Sequence, residues 1–258
     1  MRFIQTHRGA TLEAIVYPIL LVVLLWGIFL LDRMYELNLY KWGLKPNTTE
    51  GIKGIFLMPF IHGQRDYSHI INNSVPTLVL LSTLIYFYRS IAHYVLLFLW
   101  LGTGFLLWAV VGESNSYHIG ISGIIYGLFG FLFMSGVLRR YLPLQAISLF
   151  VVFLYGSLVW GVFPGEPGIS WQGHFLGLVV GVLVAIAFRN KGPQRPKYQY
   201  EIEKEMGIPP PDLEGEWLRR VEEIRAMQEK RKEEQENQHA SFKIIYDYKR
   251  HDENKEKS

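Results

Sequence analysis

The stretch "HIGISGIIYGLFG", residues 118–130, places one hydroxyl, Ser122, between two glycines at the head of a long apolar run. A serine in such a run is ordinarily a small packing residue, so its meaning depends on what surrounds it. The run continues to about residue 138 without an Asp, Glu, Lys or Arg. It is one of six long apolar segments, roughly 13–32, 70–88, 91–111, 118–138, 141–163 and 171–188, of which only the first holds charged residues, Glu13 and Asp32 at its two ends. A bilayer core about 30 Å thick needs about 20 apolar helical residues to span it. Helices buried in a soluble protein rarely run this long without charge on any face. The pattern predicts an all-α integral membrane protein with six transmembrane helices.

Charge divides the chain in two. Residues 1–188 hold ten Lys/Arg and seven Asp/Glu, whereas the last 70 residues hold 16 of each. The expected organisation is a cytoplasmic N-terminus over residues 1–12, a membrane domain over 13–190 and a charged cytoplasmic tail over 191–258. Orientation follows from the basic residues of the short connections. Arg2, Arg8, Arg89, Arg139, Arg140, Arg189 and Lys191 fall on one side, and the opposite turns "GESNSYH" and "PGEPGIS" carry no Lys or Arg. Both termini are therefore expected in the cytoplasm. The first loop, with Arg33, Lys41, Lys45, Lys53 and Arg65, departs from the alternation, but acidic residues are mixed into it and longer loops obey the rule less strictly. The first span is too long for a signal-peptide core and no small-x-small cleavage site follows it, so it is expected to stay in the mature protein. The chain has no cysteine, which excludes disulfides, thiolate metal sites and cysteine nucleophiles. Neither a metal nor a cofactor is expected, nor a nucleic-acid partner.

An ionisable side chain at membrane depth is costly and marks function by default. His174 opens the sixth segment in "WQGHFLGLVVG", and His69 opens the second in "SHIINNSVP". His93 follows Arg89 at the cytoplasmic edge and reads as interfacial. Gly120, Gly123 and Gly127 on one run and Gly177 and Gly181 on the other are the expected helix-packing glycines, because small-xxx-small spacing lets membrane helices approach closely. Those two faces carry the serine and the histidine. Tyr126 lies one turn below Ser122 on the same face. A serine hydroxyl needs a base to take its proton as it attacks, and neutral imidazole suits that role near pH 7. No Asp or Glu occurs in the fourth or sixth segment to orient the imidazole, which leaves a Ser122/His174 dyad. The attack creates an oxyanion, for which His69 and Asn73, spaced i, i+4, are candidate donors beside the Ser122 backbone N–H.

"GISG" with Tyr126, "GHFLGLVVG" on the last apolar segment and "HIINN" at the start of the second, each on its expected segment and in the expected order along the chain, together resemble the rhomboid family of intramembrane serine proteases. The resemblance covers roughly residues 10–190. It implies Ser122 as nucleophile, His174 as general base with Tyr126 packed on its ring, and His69 and Asn73 as oxyanion donors. It also implies transmembrane helices of other proteins as substrates, a site open to the non-cytoplasmic side and a bacterial plasma membrane as location. The chain departs from the pattern in two places. Trp42 is followed by Gly43 where many relatives have Trp-Arg, and Gly173 precedes the histidine where alanine is frequent. His62, in "PFIHGQRDYSH", reads as a structural hydrogen-bonding group.

Beyond Arg189, "NKGPQRPKYQYEIEKEMGIPPPDLEGEW" has linker composition. Residues 214–238 show a helical pattern with Trp217, Val221, Ile224 and Met227 along one stripe, and "FKIIYDY" forms a last apolar patch. This tail reads either as a solvated helix or as a docking helix. For the whole chain, the leading expectation is a protease acting on transmembrane substrates within the lipid bilayer. The alternatives are a silent relative that binds transmembrane helices, which typically loses the serine or histidine, and a small transporter, for which no inverted repeat is visible.

Overall fold

The computed structural model of the protein describes residues 2–63, 67–112, 116–140, 142–154, 160–164, 170–192, 197–209 and 211–241. The chain divides into two compact units, Met1–Arg195 and Pro196–Ser258. All regular elements among the described residues are helical. The first unit contains α1 (Arg2–Tyr35), α2 (Ile52–Leu57), α3 (Tyr67–Tyr88), α4 (Ala92–Val110), α5 (Ser122–Arg139), α6 (Leu142–Leu154) and α7 (Trp171–Ala187). Four of them are long and apolar enough to cross a membrane: α1 from Thr11 onward, α3, α4 and α5. Helices α6, of 13 residues, and α7, of 17, are apolar but shorter. Two boundaries differ from the sequence expectation. Helix α5 begins at Ser122 and not at 118, because Gly120 takes φ +105° and His118 pairs with Leu44 in an antiparallel bridge. Gly161 lies in a turn and not in the helix expected over 141–163, with Phe163 N–H donating to the Trp160 carbonyl at 3.0 Å.

Helix α5 is the centre of the bundle: 67% of its apolar window is buried, against 22% for α1. Its most extensive partner among the described helices is α7. The reason is a seam of glycines. A methyl group on Gly177 would overlap the carbonyl oxygen of Gly123, and one on Gly181 would overlap that of Gly127. Helices this close make the dense van der Waals contact that drives association in lipid, where no hydrophobic gain exists between spans. At the far end, Arg139 is buried with its guanidinium 5.3 Å from the centre of the Tyr88 ring. Its Nη2 donates to the carbonyls of Phe188 and Lys191, both at 2.6 Å. Carbonyls past the end of α7 have no helical donor, and a cation placed there satisfies them.

Helix α1 is fastened mainly to α3. Trp26 Nε1 donates to Ser74 Oγ at 3.1 Å, the rings of Trp26, Phe29 and Tyr67 cluster, and Arg89 grips Glu13 through two nitrogens. The segment between α1 and α3 is tied down by main-chain bonds. Leu44 and His118 exchange both N–H to carbonyl bonds, at 2.9 and 2.8 Å, and Gly120 N–H donates to Met58 O at 2.8 Å. Gly43 has a steric explanation here, since a Cβ would lie 2.7 Å from the His118 carbonyl oxygen.

In the second unit, α8 (Gln199–Glu205) is followed by α9 (Leu213–Ser241), longer than the 214–238 expected. Asp212 Oδ1 caps α9 by accepting the Gly215 N–H at 2.9 Å. Trp217, Ile224 and Met227 are exposed. The "FKIIYDY" patch lies outside the described residues.

The seam makes a testable demand. Gly177→Ala should lower the thermal midpoint in mild detergent by the equivalent of about 1–3 kcal/mol, the usual cost of overpacking. The comparison is Gly27→Ala, where nothing lies within 4 Å. That variant should keep or raise the midpoint, because alanine is the better helix former. Equal midpoints for Gly177→Ala and wild type would contradict the close approach.

Candidate active site

The glycine seam brings the first turns of α5 and α7 together. Ser122 is the first residue of α5, and His174 is the fourth of α7. Their side chains form a hydrogen bond, Ser122 Oγ to His174 Nε2, at 2.8 Å. On its other side the imidazole bonds to main chain: His174 Nδ1 donates to the Gly161 carbonyl at 2.9 Å. A carbonyl oxygen only accepts, so this contact places the ring proton on Nδ1 and leaves Nε2 as the acceptor for the serine hydroxyl. The Tyr126 ring stacks on the imidazole, 4.3 Å between centroids and 16° between planes. The imidazole therefore has one rotational setting, fixed by a carbonyl, a hydroxyl and an aromatic face.

Helix α3 supplies the third wall. Both His69 and Asn73 lie against the α-carbon of Gly120: a Cβ there would fall 2.7 Å from His69 Nε2 and 3.6 Å from Asn73 Nδ2. Gly120 is consequently not a helix-packing residue, as the spacing suggested. It sits outside α5 at positive φ, and its missing side chain is the space the α3 polar groups occupy. Gly123, Gly127, Gly177 and Gly181 line the seam. Asn73 Nδ2 donates to His62 Nε2 at 3.2 Å, and the His62 and His69 rings are 5.0 Å apart. His93 is exposed, beside Tyr94. The group that sequence reasoning missed is the Gly161 carbonyl. No residue type signals a main-chain acceptor, so nothing in the sequence marks it. No cluster of three or more His, Cys, Asp or Glu able to hold a metal occurs among the described residues.

The family model described as Rhomboid domain matches residues 50–191, more than half of the chain. The chain belongs to the rhomboid family. This rhomboid is 35% identical over 171 residues to uncharacterized proteins of Mycobacterium tuberculosis (strain ATCC 25618 / H37Rv) and Mycobacterium bovis, covering 64% of this chain and 70% of each relative. An uncharacterized protein of Mycobacterium leprae is 31% identical over 171 residues, covering 64% of this chain and 67% of its own. The matched region holds Ser122, His174, Tyr126, His69, Asn73 and Gly161. It leaves out α1 and the second unit. With its long apolar helices, this rhomboid is an integral membrane protein.

His62 gives the rhomboid core a pH signature. Burial first, and the nearby His69 second, push its imidazole from 6.5 down to about 3. The folded chain thus refuses a proton that the unfolded chain accepts below 6.5. Stability from this group is full above pH 6.5 and falls as pH drops towards 3, by on the order of 1 kcal/mol per pH unit. His62→Gln should make the fall in thermal midpoint between pH 7 and pH 5 shallower than in wild type. An unchanged slope would show that His62 titrates normally in the fold.

Proposed function

We propose that this rhomboid is an intramembrane serine endopeptidase that cleaves transmembrane segments of other proteins with a Ser122/His174 dyad. The observation that carries the reading is the bond chain from Ser122 Oγ through His174 to the Gly161 carbonyl. As Oγ attacks the scissile carbonyl carbon, its proton passes to Nε2 and the carbonyl electron pair moves onto oxygen. The imidazolium then donates the same proton to the leaving nitrogen as the C–N bond breaks. Water, deprotonated by Nε2, cleaves the acyl-serine and restores both residues. A Gly161 carbonyl in the place of a carboxylate fixes the tautomer and supports the imidazolium with a dipole.

The oxyanion falls at the N-terminus of α5, where the first N–H groups have no helical acceptor and the helix dipole favours negative charge. The Ser122 N–H is one donor. Asn73 Nδ2 carries two protons, of which one meets His62, so the second is available beside the site. His69 completes the set. Both members of the dyad lie in first helical turns, His174 about 5 Å along the axis of α7 from its start. This shallow depth is within reach of water, as hydrolysis requires.

The remaining topology is part of the same proposal: six spans, both termini in the cytoplasm of a bacterial plasma membrane, and a tail that contributes no catalytic group. An alkaline phosphatase fusion after residue 190 should be inactive in cells. A phosphatase-active fusion would invert the membrane orientation and put the site on the cytoplasmic face.

Ser122→Ala and His174→Ala should each abolish cleavage of a model transmembrane substrate and labelling by a fluorophosphonate, while keeping the wild-type thermal midpoint. Asn73→Ala should retain weak activity, reduced by about 10² to 10³ in kcat, as is usual when one oxyanion donor is removed. Cleavage by purified Ser122→Ala would end the protease reading. A well-folded wild type that neither labels nor cleaves would leave a rhomboid that binds transmembrane helices.

A further inference from the structure

A second serine–histidine contact joins the segments that lead into α5 and α7. His118, four residues before Ser122, bonds through Nδ1 to the Oγ of Ser170, four residues before His174, at 2.6 Å. The order is crossed: here the histidine precedes α5 and the serine precedes α7. Neither group takes part in the proton transfers described above. Three observations give the contact a purpose. The His118 main chain is held by both bonds of the Leu44 bridge, so its ring projects from a fixed base. Ser170 is the residue before α7, and its carbonyl accepts the His174 N–H at 3.2 Å. A Cβ on Gly173 would lie 2.8 Å from Ser170 Oγ, a distance at which the hydroxyl has to shift. Glycine before the histidine, where alanine is frequent in the family pattern, is therefore the residue that leaves room for this bond.

The rest of α7 is secured elsewhere, by the glycine seam along its middle and by Arg139 at its far end. We propose that His118 is a positioning residue that, through Ser170, holds the first turn of α7 so that His174 stays in hydrogen-bond contact with Ser122. Its effect on turnover rests on the protease reading, while its effect on helix position does not. Burial lowers the His118 pKa, so the ring is neutral near pH 7 and brings no second positive charge to the site. A hydroxyl donates or accepts, so either neutral tautomer of the ring serves.

The test compares His118→Phe, which keeps a ring and loses Nδ1, with Ser170→Ala and the double variant. Turnover is measured per active site titrated with fluorophosphonate. The expected result is a fall in kcat of about ten- to a hundredfold, the scale of a small misplacement of a reacting group, with KM little changed. The double variant should be no worse than the poorer single one, because one bond is lost in all three. His118→Asn, which offers an amide near the Nδ1 position, should recover most of the loss. Gly173→Ala should reproduce it. Wild-type kcat per titrated site in both His118→Phe and Ser170→Ala, or a loss confined to the thermal midpoint, would overturn the proposal. Should His118→Phe fail to fold, Ser170→Ala, which removes a single oxygen, decides alone.

A second arm is independent of activity. The chain has no cysteine, so paired spin labels can be placed at Ser116 and Phe175, both exposed. The distance distribution between them should be broader in Ser170→Ala than in the otherwise wild-type chain. Equal widths would also overturn the proposal. Broadening in a protein whose wild type does not cleave would sustain the clamp and end the protease reading alone.

Discussion

Helices α5 and α7, which carry Ser122 and His174, approach each other more closely than a Cβ at the crossing allows, where typical packing holds helix axes about 8–10 Å apart. That approach is made at the contacts of Gly177 with Gly123 and of Gly181 with Gly127. The enclosure of α5 goes with it. Because α5 spends one face on α7, its remaining faces are covered by α3, α4 and α6, and it becomes the most enclosed of the long apolar helices. The 2.8 Å contact of Ser122 with His174 is one end of the same seam, and the Arg139 bonds to Phe188 and Lys191 are its other end. Stability and the geometry of the site are thus two readings of one close approach.

The segment between α1 and α3 has a different role. It contributes main-chain bonds where the bundle contributes packing, and those bonds act on the residues just before Ser122. Leu44 holds His118 and Met58 holds Gly120, so the chain enters α5 through a positive-φ turn and the helix starts abruptly at the serine. An abrupt start leaves the first amides of α5 without helical acceptors, next to the side chains of His69 and Asn73. A helix running from 118 would have used those amides in its own ladder.

Much of this was legible in the sequence, for physical reasons that differ by residue. The apolar helices were readable because crossing a bilayer demands length without charge, and the family because "GISG", "GHFLGLVVG" and "HIINN" fall in order on three of them. Gly123 and Gly177 could be read from spacing alone. Gly120 could not, since a glycine held by φ looks like a glycine held by packing until its backbone is known. The turn at Gly161 was hidden inside an apolar run, and its carbonyl has no residue-type signature at all. His118 and Ser170 each resemble ordinary polar residues at the edge of a span. Their meaning is a distance between segments far apart in the chain, which periodicity does not encode. Gly43 and Gly173, noted as departures from the family pattern, became intelligible only when their neighbours His118 and Ser170 were in place.

The separation of the paired residues along the chain also has a temporal side. Ser122 and His174 are 52 positions apart. A ribosome adding about 5–20 residues per second takes about 3–10 s to cover that interval, and α7 has then still to be completed and inserted. Until then Ser122 lacks its His174 contact and the glycine face of α5 lacks its partner. On the protease reading, newly made chains are inert towards neighbouring nascent spans, and reactivity begins with the last closing contact of the bundle.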